Sequence, residues 1–376
     1  MRRTVLCLSL SVLLIAGLGW YFYQRLDGNI KIDSATAQEL LRYEKARPRA
    51  ASTGARNLLL IGSDDRSGAG NSKYGRTTPG QRSDTVILLH IAGNRKSATA
   101  MSLPRDLMVE IPRCRRPDGE ESGSQFNQFN FAYSYGGAAC TIRVVETMTG
   151  IRVDHHLILD FTGFKEMVDA VDGVEVCVRE AVDDQAAKLR LEPGRQTLDG
   201  EQALGYVRAR KTIGDGSDTE RMHRQQEFLA SLVNKVKSNG VLLNPLRLAP
   251  LLDAATKSLT TDEGLSDLTE LYELVRSVRD IPMDQMRFLT VPRRPYPLNT
   301  NRDELVQPDA DALFKALRED KRVQFSSESD PANGALVGKK LFKDGVRIRD
   351  HGPLRKADPE DGPTYKGTTP ADDICR

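Results

Sequence analysis

The sequence predicts an α/β fold in the form of a layered αβα sandwich. Residues 57–62 form a continuous apolar run that ends in a turn, which is typical of a strand buried on both faces of a sheet. Residues 85–91 and 98–103 have the same character. Segments with helical periodicity alternate with these runs along the chain, and such alternation favours a sheet with helices on both faces.

The remaining elements follow from hydrophobic periodicity and from glycine stop signals. Further strand candidates are residues 157–159, 174–178, 323–325 and 346–348. The predicted helices are residues 35–45, 141–149 ending at Gly150, 161–171 ending near Gly173, 221–237 ending near Gly240, and the amphipathic segment 268–278.

Composition divides the 376 residues into four parts. Residues 1–24 form a short tip and a membrane anchor, and residues 25–55 form a polar, basic stem or linker. Residues 56–317 form the main α/β domain, which is large enough for a proper hydrophobic core. Residues 318–376 form a charged tail, rich in proline and glycine, for which little autonomous structure is expected.

An uncharged, mostly apolar run extends from Thr4 to Gln24 and ends in the aromatic residues 20–23. About 20 such residues span a bilayer, and aromatic side chains favour its interface. Because Arg2 and Arg3 precede the run, we expect one transmembrane helix, with the N-terminus in the cytoplasm and the main domain outside the cell membrane. A cleaved signal peptide is the alternative, although the run is long for one and no clear small-x-small cleavage site follows it.

The overall charge argues against nucleic acid as a partner. The net charge is +2 with 28% charged residues, which leaves no polybasic surface for DNA. Zinc is also unexpected, since no CxxC or HxxxH spacing occurs in the sequence.

Four of the five cysteines lie outside the apolar run and suggest disulfides in an exported domain. Four cysteines allow three pairings. Cys114 and Cys140 flank one loop, which favours a bond between them, and Cys177–Cys375 then follows by elimination.

Arginine and glutamine are concentrated in one stretch of the chain. Arg208 and Arg210 precede a predicted helix, on whose first turns Arg221, Arg224 and Gln225 share one face. Guanidinium groups aimed at one place repel each other, and their bidentate donors suit phosphate oxygens. The stretch therefore predicts a phosphate pocket, and the alternative is a set of solvated surface arginines.

Polar residues adjoin three of the predicted strands, where an open α/β sheet places its ligands. Asp64 follows the first strand, Asp84 opens the second, and Arg105 and Asp106 follow the third. Asp64 and Asp84 can therefore meet at one edge of the sheet, where two carboxylates beside arginines suit Mg²⁺ shared with phosphate oxygens. Taken singly, each aspartate is better explained as a turn former or a helix cap.

Six motifs occur in order between residues 57 and 237. They are Gly62-Ser63-Asp64, Arg82-Ser83-Asp84-Thr85, Leu103-Pro104-Arg105-Asp106, Asn-x-Ala-Tyr-x-Tyr-Gly-Gly at 130–137, Leu-Asp-Gly-Glu-Gln-Ala-Leu-x-Tyr-Val-Arg-x-Arg at 198–210, and Arg-x-x-Arg-Gln-Gln at 221–226. This ordered set resembles the LytR-CpsA-Psr family of cell-wall ligases. The cysteines and the Ala-Asp-Asp-Ile-Cys ending at 371–375 are similar to those of actinobacterial members.

The resemblance implies a phosphotransferase with an extracytoplasmic catalytic domain built on a central mixed sheet. Such an enzyme moves a glycopolymer from a polyprenyl-diphosphate carrier onto a sugar hydroxyl of peptidoglycan. The implied partners are therefore the lipid-linked glycopolymer, peptidoglycan and membrane lipid.

The resemblance also implies roles for particular residues. Asp64 and Asp84 match the magnesium-binding aspartates, with Mg²⁺ as the cofactor. The positions that match the diphosphate-binding set are Arg66, Arg105, Arg208, Arg210, Arg221 and Gln225. The catalytic candidates among these positions are Arg105, Arg208, Arg210, Asp64 and Asp84.

Two departures from the family pattern stand out. Many relatives have a lysine where this chain has Gln128, so one positive contact to phosphate is either missing or supplied by Arg224. The loop at residues 66–82 is long and rich in glycine, and it either folds over the acceptor or is an inert surface insertion.

A lipid carrier also needs an apolar slot. On the helix that carries Arg221 and Gln225, Phe228 and Leu232 follow these two residues along the same side. They are candidate lipid contacts, with ordinary core packing as the alternative. The second apolar stripe of this helix is predicted to be core and consists of Met222, Leu229, Val233 and Val236.

In the implied reaction a sugar hydroxyl attacks the sugar-side phosphorus and polyprenyl phosphate leaves, while Mg²⁺ and arginines neutralise the charge. Asp64, Asp84 and Asp106 are candidates for the base by position only. Two other functions fit the same pocket. One is hydrolysis of polyprenyl diphosphate with water as the acceptor, and the other is non-catalytic binding of lipid diphosphates that regulates wall synthesis.

Overall fold

The structure is a computed structural model of the chain. It describes residues 2–63, 83–116, 119–185, 187–209, 212–213, 216–238, 245–327 and 363–375.

Helices and strands alternate through most of the described chain. The helices are α1 (Arg2–Asp27), α2 (Ser34–Arg42), α3 (Phe131–Thr149), α4 (Phe161–Ala170), α5 (Gly200–Arg208), α6 (Asp218–Ser238), α7 (Pro245–Ser258), α8 (Leu268–Arg279) and α9 (Asp309–Arg318). The strands are β1 (Lys31–Ile32), β2 (Arg56–Ser63), β3 (Ser83–Ile91), β4 (Ala98–Leu103), β5 (Met108–Ile111), β6 (Gln125–Gln128), β7 (His155–Leu159), β8 (Val174–Val178), β9 (Val182–Asp184), β10 (Leu189–Leu191), β11 (Gly194–Leu198), β12 (Leu259–Thr261), β13 (Met286–Thr290), β14 (Arg293–Tyr296), β15 (Asn299–Leu305), β16 (Phe325–Ser327) and β17 (Tyr365–Thr368).

A nine-stranded central sheet organises the described residues, in the order β1-β12-β7-β2-β3-β4-β13-β17-β16. The pairs β1–β12, β2–β7, β4–β13 and β16–β17 are parallel. The pairs β7–β12, β2–β3, β3–β4 and β13–β17 are antiparallel. The central mixed sheet expected from the sequence is therefore confirmed.

Residues of β2 alternate between the two faces of this sheet, as the pleat of a strand requires. Leu59 and Ile61 pack into a core shared with α3 and α9. Leu58 packs on the opposite face with α8, and Leu60 packs there with α6. Helices therefore lie on both faces, which explains why the strand reads as a continuous apolar run.

Two elements differ from their sequence predictions. α3 begins at Phe131, well before the predicted residue 141. Gly136 and Gly137 interrupt this helix with non-helical torsion angles, and Gly137 has φ 59°. This break obscures the helical periodicity of the first turns. The strand predicted at 174–178 exists as β8, but it pairs with β11 in a separate ribbon and does not join the central sheet.

The stem, residues 25–55, packs against the main domain. β1 pairs with β12 at the edge of the central sheet, and the helix predicted at 35–45 appears as α2. Arg47 donates to the buried carboxylate of Glu146 at 2.8–3.1 Å. Glu146 also accepts from the backbone N–H of Val153 at 2.9 Å. The stem thus shares a strand pairing and a buried ion pair with the domain.

Two segments of the C-terminal tail join the central sheet. β16 lies at one edge, shifted by two residues from the strand predicted at 323–325, and β17 pairs with both β16 and β13. The other predicted strand, 346–348, lies outside the described residues. β17 escaped prediction because Tyr-Lys-Gly-Thr is too short and too polar to register as a buried strand.

The apolar N-terminal run forms most of α1, where large apolar side chains such as Ile15 and Trp20 are exposed. The last residue of α1, Asp27, accepts a hydrogen bond from the backbone N–H of Leu268 at 3.0 Å. None of the helices in the described part of the chain combines the length and apolar character that a membrane crossing requires. The transmembrane helix therefore stays a prediction.

Both expected disulfides are present. Cys114 and Cys140 are bonded across 26 residues, and Cys177 and Cys375 are bonded across 198 residues. The first ties the segment before β6 to α3, and the second ties the end of the chain to β8. Cys7 on α1 is exposed and has no disulfide.

Removing the Cys114–Cys140 bond should destabilise the domain. In the chain-entropy model, a closed loop of this size contributes roughly 3 kcal/mol to the free energy of unfolding. We expect Cys114→Ser/Cys140→Ser to lose about that amount in urea unfolding, while the matched control Cys7→Ser unfolds like the wild type. Equal unfolding midpoints for the double variant and the control would contradict this prediction.

Candidate functional site

A cavity of about 580 Å³ lies between the central sheet and helices α4, α5 and α6. Its wall is largely apolar. The sheet contributes Leu60, Ile61, Ile87, Leu157, Leu159 and Leu259, and the helices contribute Phe161, Phe164, Met167, Leu204, Val207, Phe228 and Leu229. A cavity of this volume and character suits a hydrocarbon chain.

Charged and polar side chains also line the cavity, and we call the group formed by Asp84, Thr85, Arg208, Arg221 and Gln225 the polar end. Asp84 and Thr85 reach it from the start of β3, and Arg208 reaches it from the last turn of α5. Arg221 and Gln225 come from the first turns of α6. The structure therefore brings together, in the lining of one cavity, residues that lie up to 141 positions apart between Asp84 and Gln225.

Local contacts fix the positions of these side chains. The guanidinium of Arg208 lies 4.5 Å above the ring of Phe161, in cation–π geometry. Gln225 Nε2 donates to the Val207 carbonyl at 3.1 Å, and Thr85 Oγ1 donates to Gln225 Oε1 at 3.4 Å. The end of α5, the start of α6 and β3 are thus joined around the polar end.

Carboxylates of the protein already neutralise part of the arginine cluster. Asp218 Oδ1 lies 2.5 Å from Arg221 Nη2 and 3.4 Å from Arg105 Nε. Arg105 Nη1 also donates to Asp84 Oδ1 at 2.9 Å. The repulsion expected among the arginines of α5 and α6 is therefore relieved at Arg221, because Asp218 pairs with its guanidinium and also reaches Arg105.

Arg105 sits at the centre of this ion-pair network. Burial opposes its charge, but the nearby carboxylates of Asp106, Asp218 and Asp84 outweigh that effect and raise the pKa of its guanidinium. Burial also disfavours the charged form of Asp303 and raises its pKa. The positive charge of Arg293 opposes this rise, and the negative charges of Asp218 and Asp106 add to it. Arg105 and Arg293 are therefore surrounded by more carboxylates than arginines.

Arg224 has a different position from the one expected. It is 4% exposed, and its guanidinium donates to backbone carbonyls at the end of α5, those of Tyr206 at 2.8 Å and of Ala209. Burial lowers the pKa of Arg224. The guanidinium of Arg224 holds α5 against α6 and does not line the cavity. Arg224 therefore does not supply the positive contact to phosphate that a lysine at position 128 would provide.

Another arginine lies beside Gln128, on a distant part of the chain. Gln128 Nε2 donates to Asp106 Oδ1 at 2.5 Å, and Arg302 Nη1 donates to the same oxygen at 3.4 Å. Arg302 therefore places a positive charge beside Gln128. Sequence reasoning missed it because Arg302 lies far away along the chain, on β15, with no local motif to mark it. Asp218 was likewise seen only as the start of a helix.

Three of the expected site residues, Asp64, Arg66 and Arg210, lie outside the described residues, as does the loop at 66–82. Within the part of the chain that is described, no group of three or more His, Cys, Asp or Glu side chains could hold a metal ion. Asp84, whose side chain is 37% exposed, stands at the polar end.

The candidate lipid contacts fall into two groups. Phe228 lines the cavity and is 1% exposed. Leu232 packs instead against the hydrophobic cluster formed by α4, α5 and β8. Leu229, predicted to be ordinary core, also lines the cavity. α6 therefore presents the junction of its two apolar stripes, and not one stripe, to the cavity.

Known proteins share this sequence and this fold. The model of the LytR_cpsA_psr family matches residues 26–322. The cell wall biosynthesis protein LcpA of Corynebacterium glutamicum is 32% identical over 320 residues, a match that covers 77% of this chain and 59% of LcpA. The polyisoprenyl-teichoic acid–peptidoglycan teichoic acid transferase TagT of Bacillus subtilis is 32% identical over 236 residues, which cover 61% of this chain and 67% of TagT.

Solved structures have the same fold. The LytR-Csp2A-Psr enzyme from Actinomyces oris superposes with a TM-score of 0.57 at 22% identity, over 72% of this chain and 93% of that one. TagT bound to LI-WTA superposes with a TM-score of 0.53 at 25% identity, over 72% of this chain and 96% of that one. With the family model matching most of the sequence, the chain belongs to the LytR-CpsA-Psr family.

Proposed function

We propose that this chain is a membrane-anchored, Mg²⁺-dependent phosphotransferase. It moves a glycopolymer from a polyprenyl-diphosphate carrier onto a peptidoglycan sugar hydroxyl, forms a phosphodiester and releases polyprenyl phosphate. The observation that carries this proposal is the apolar cavity of about 580 Å³ with Asp84, Arg208 and Arg221 at its polar end. The two parts of this site correspond to the two parts of a lipid diphosphate. The similarity to TagT, which is named a polyisoprenyl-teichoic acid–peptidoglycan teichoic acid transferase, supports the same assignment.

The diphosphate binds at the polar end, between α5 and α6. Arg208 is held over the Phe161 ring, at the boundary between the apolar wall and the charged groups. Arg221 lies in the first turn of α6, where the helix N-terminus also favours an anion. Asp218 keeps Arg221 and Arg105 oriented before substrate arrives. Little reorganisation is then needed when the phosphate shares these donors.

The cavity also sets the direction of the reaction. With the lipid chain in the cavity, the leaving polyprenyl phosphate lies toward the apolar wall. In-line displacement requires the attacking hydroxyl to approach from the opposite side. Arg105 and Asp106 contact each other at 3.2 Å from Nε to Oδ2 and do not belong to the cavity lining, so we assign the approach side to this pair. The acceptor therefore approaches past Arg105 and Asp106.

Asp84 fits the role of a Mg²⁺ ligand. Mg²⁺ usually binds through one or two carboxylates together with substrate phosphates, and Asp84 offers a partly exposed carboxylate at the polar end. Asp64, the second expected ligand, lies outside the described residues. When bound, the ion would neutralise charge that develops on the transferred phosphoryl group.

The direct test is to incubate the purified protein with a lipid-diphosphate oligosaccharide, peptidoglycan and Mg²⁺. We expect mass spectrometry to find wall fragments that carry the oligosaccharide through a phosphodiester, and chelation of Mg²⁺ to stop their formation. Polyprenyl phosphate released without a wall product would identify a hydrolase instead. Lipid binding without turnover would identify a non-catalytic binder.

Arg208→Ala should slow this transfer while leaving the fold intact, because Arg208 is half-buried and lines the cavity with its guanidinium over the Phe161 ring. By analogy with the loss of one preorganised electrostatic donor, the rate should fall about 10²–10³-fold. Arg208→Lys should restore little, since a point charge cannot make a bidentate contact.

The matched control for this variant is Arg276→Ala, which removes a surface arginine of α8 whose side chain is 59% exposed. Wild-type transfer rates in Arg208→Ala, with circular dichroism showing a folded protein, would place the phosphate pocket elsewhere. Arg221→Ala is a poorer test, because Arg221 is 3% exposed and its loss would unbalance Asp218.

Anchoring of the chain by α1 is supported by the uncharged run from Thr4 to Gln24 and by Arg2 and Arg3 before it. A reporter fused to the C-terminus should be active outside the membrane, and the intact protein should sediment with membranes. Isolation of a mature form that begins near residue 25 would contradict the anchor and support a cleaved signal peptide.

A further inference from the structure

Two aromatic side chains form an open corner beside the polar end. Phe126 on β6 is 49% exposed. Its ring centroid lies 6.1 Å from that of Tyr296 on β14, with the ring planes inclined at 55°. Outside α1, the other strongly exposed aromatic residue in the described part of the chain is Tyr272, on α8. Tyr296 itself is half-buried, and exposed apolar surface rimmed by polar residues is a feature of binding sites.

The alternation of the β5–β6 ribbon turns Phe126 outward. Val109 and Ile111 on β5 are buried in the core, whereas Glu110 is exposed and is the direct cross-strand partner of Phe126. On the inner face, Tyr135 of α3 holds the ribbon, because its hydroxyl contacts Asn127 Nδ2 at 3.3 Å. The ring of Phe126 is therefore displayed on a fixed strand and not on a loose loop.

Strand β6 and the β14–β15 hairpin, which carry the aromatic rings, both contact the ion-pair network of Arg105 through Asp106. Gln128 lies two residues after Phe126, hence on the same face and about 7 Å away, and it donates to Asp106 at 2.5 Å. From the β14–β15 hairpin, Arg302 donates to the same carboxylate at 3.4 Å. Asp106 in turn contacts Arg105, which reaches Asp84 at the polar end. These contacts connect the aromatic corner to Arg105 through Asp106, and neither ring lines the cavity.

The chemistry of the corner suits a sugar ring. A pyranose has an apolar face of C–H groups that packs on an aromatic ring, and equatorial hydroxyls that need hydrogen-bond partners. Here the rings have polar neighbours, since Glu110 is the cross-strand partner of Phe126 and exposed Asn299 is the cross-strand partner of Tyr296. A purely apolar partner would leave these polar groups without hydrogen bonds.

We propose that Phe126 and Tyr296 bind a pyranose unit of the acceptor glycan strand and so position its hydroxyl for transfer. This inference rests on the proposed function, because the in-line geometry is what places the acceptor beyond Arg105 and Asp106. The glycopolymer of the donor is the other sugar present in the reaction, and the test below includes it. Neither ring was among the residues that the sequence motifs indicated.

Glycan binding can be measured without any lipid substrate. The probe is a β-1,4-linked N-acetylglucosamine tetramer, titrated into the full-length protein by calorimetry or nuclear magnetic resonance. We expect Phe126→Ala and Tyr296→Ala each to raise the Kd about tenfold, the size of one lost aromatic contact. Phe126→Tyr should bind like the wild type, because it keeps the ring. The matched control is Tyr272→Ala, which removes an exposed aromatic side chain on α8 and should leave the Kd unchanged.

Turnover then assigns the bound sugar to the acceptor. In assays with lipid-diphosphate oligosaccharide and peptidoglycan, Phe126→Ala should raise the KM for peptidoglycan and lower the ratio of wall transfer to hydrolysis. An increase in the KM for the lipid donor, with that for peptidoglycan unchanged, would assign the corner to the donor sugar and overturn the proposal. Wild-type tetramer affinity in both alanine variants would overturn it as well, as would an equal loss in Tyr272→Ala.

Failure of this inference can be separated from failure of the proposed function. If the wild type turns over no lipid diphosphate, the transferase assignment fails, while tetramer binding that depends on Phe126 would still support a glycan site. If the wild type transfers glycopolymer but Phe126→Ala has an unchanged KM for peptidoglycan, the transferase assignment stands and the aromatic corner is not the acceptor site.

Discussion

The ion pairs of Arg105 are the interaction on which the site depends. This guanidinium contacts Asp84 at 2.9 Å, Asp106 at 3.2 Å and Asp218 at 3.4 Å, and these carboxylates belong to β3, to the segment after β4 and to α6. A buried cation without such partners would be strongly destabilising. The need to pair it therefore fixes the relative positions of the sheet, α6 and the segment that leads to β5. Asp218 extends the constraint to Arg221, so the fold itself orients the side chains that we propose to bind the diphosphate.

The cavity beside this network is a consequence of how the helices pack. α4 and α5 form a hydrophobic cluster with β8 and Phe228 of α6, while other residues of α6 pack directly on the sheet with Leu60 and Phe288. α6 thus packs in two hydrophobic clusters at once, and the cavity lies between them. Large apolar side chains line that space without closing it. Protein interiors are normally close-packed, so this space of about 580 Å³ is the part of the fold where the ligand proposed above has room.

The sequence predicted the elements that carry their own local signals. The apolar runs of β2, β3 and β4 and the periodic pattern of α6 matched the structure to within a few residues, because hydrophobic periodicity and glycine stops are local properties. The arginines of α5 and α6 were found for the same reason. What could not be predicted depends on contacts between distant segments. The bridge formed by Asp218, the capping of α5 by Arg224 and the position of Arg302 beside Gln128 all require the tertiary fold. β17 is likewise defined by its neighbours and not by its own four residues.

The C-terminal segment shows how far such long-range contacts reach. β17 adds to the central sheet beside β13, and just beyond it the Pro370 carbonyl accepts a hydrogen bond from Asn234 Nδ2 of α6 at 2.6 Å. Cys375 then closes the segment onto β8 through its bond to Cys177. α6 is therefore held by a covalently fastened segment, while Arg221 and Gln225 in its first turns line the cavity. Since the proposed diphosphate site requires α6 to keep its distance from β3 and α5, we infer that the segment 365–375 supports the geometry of the polar end.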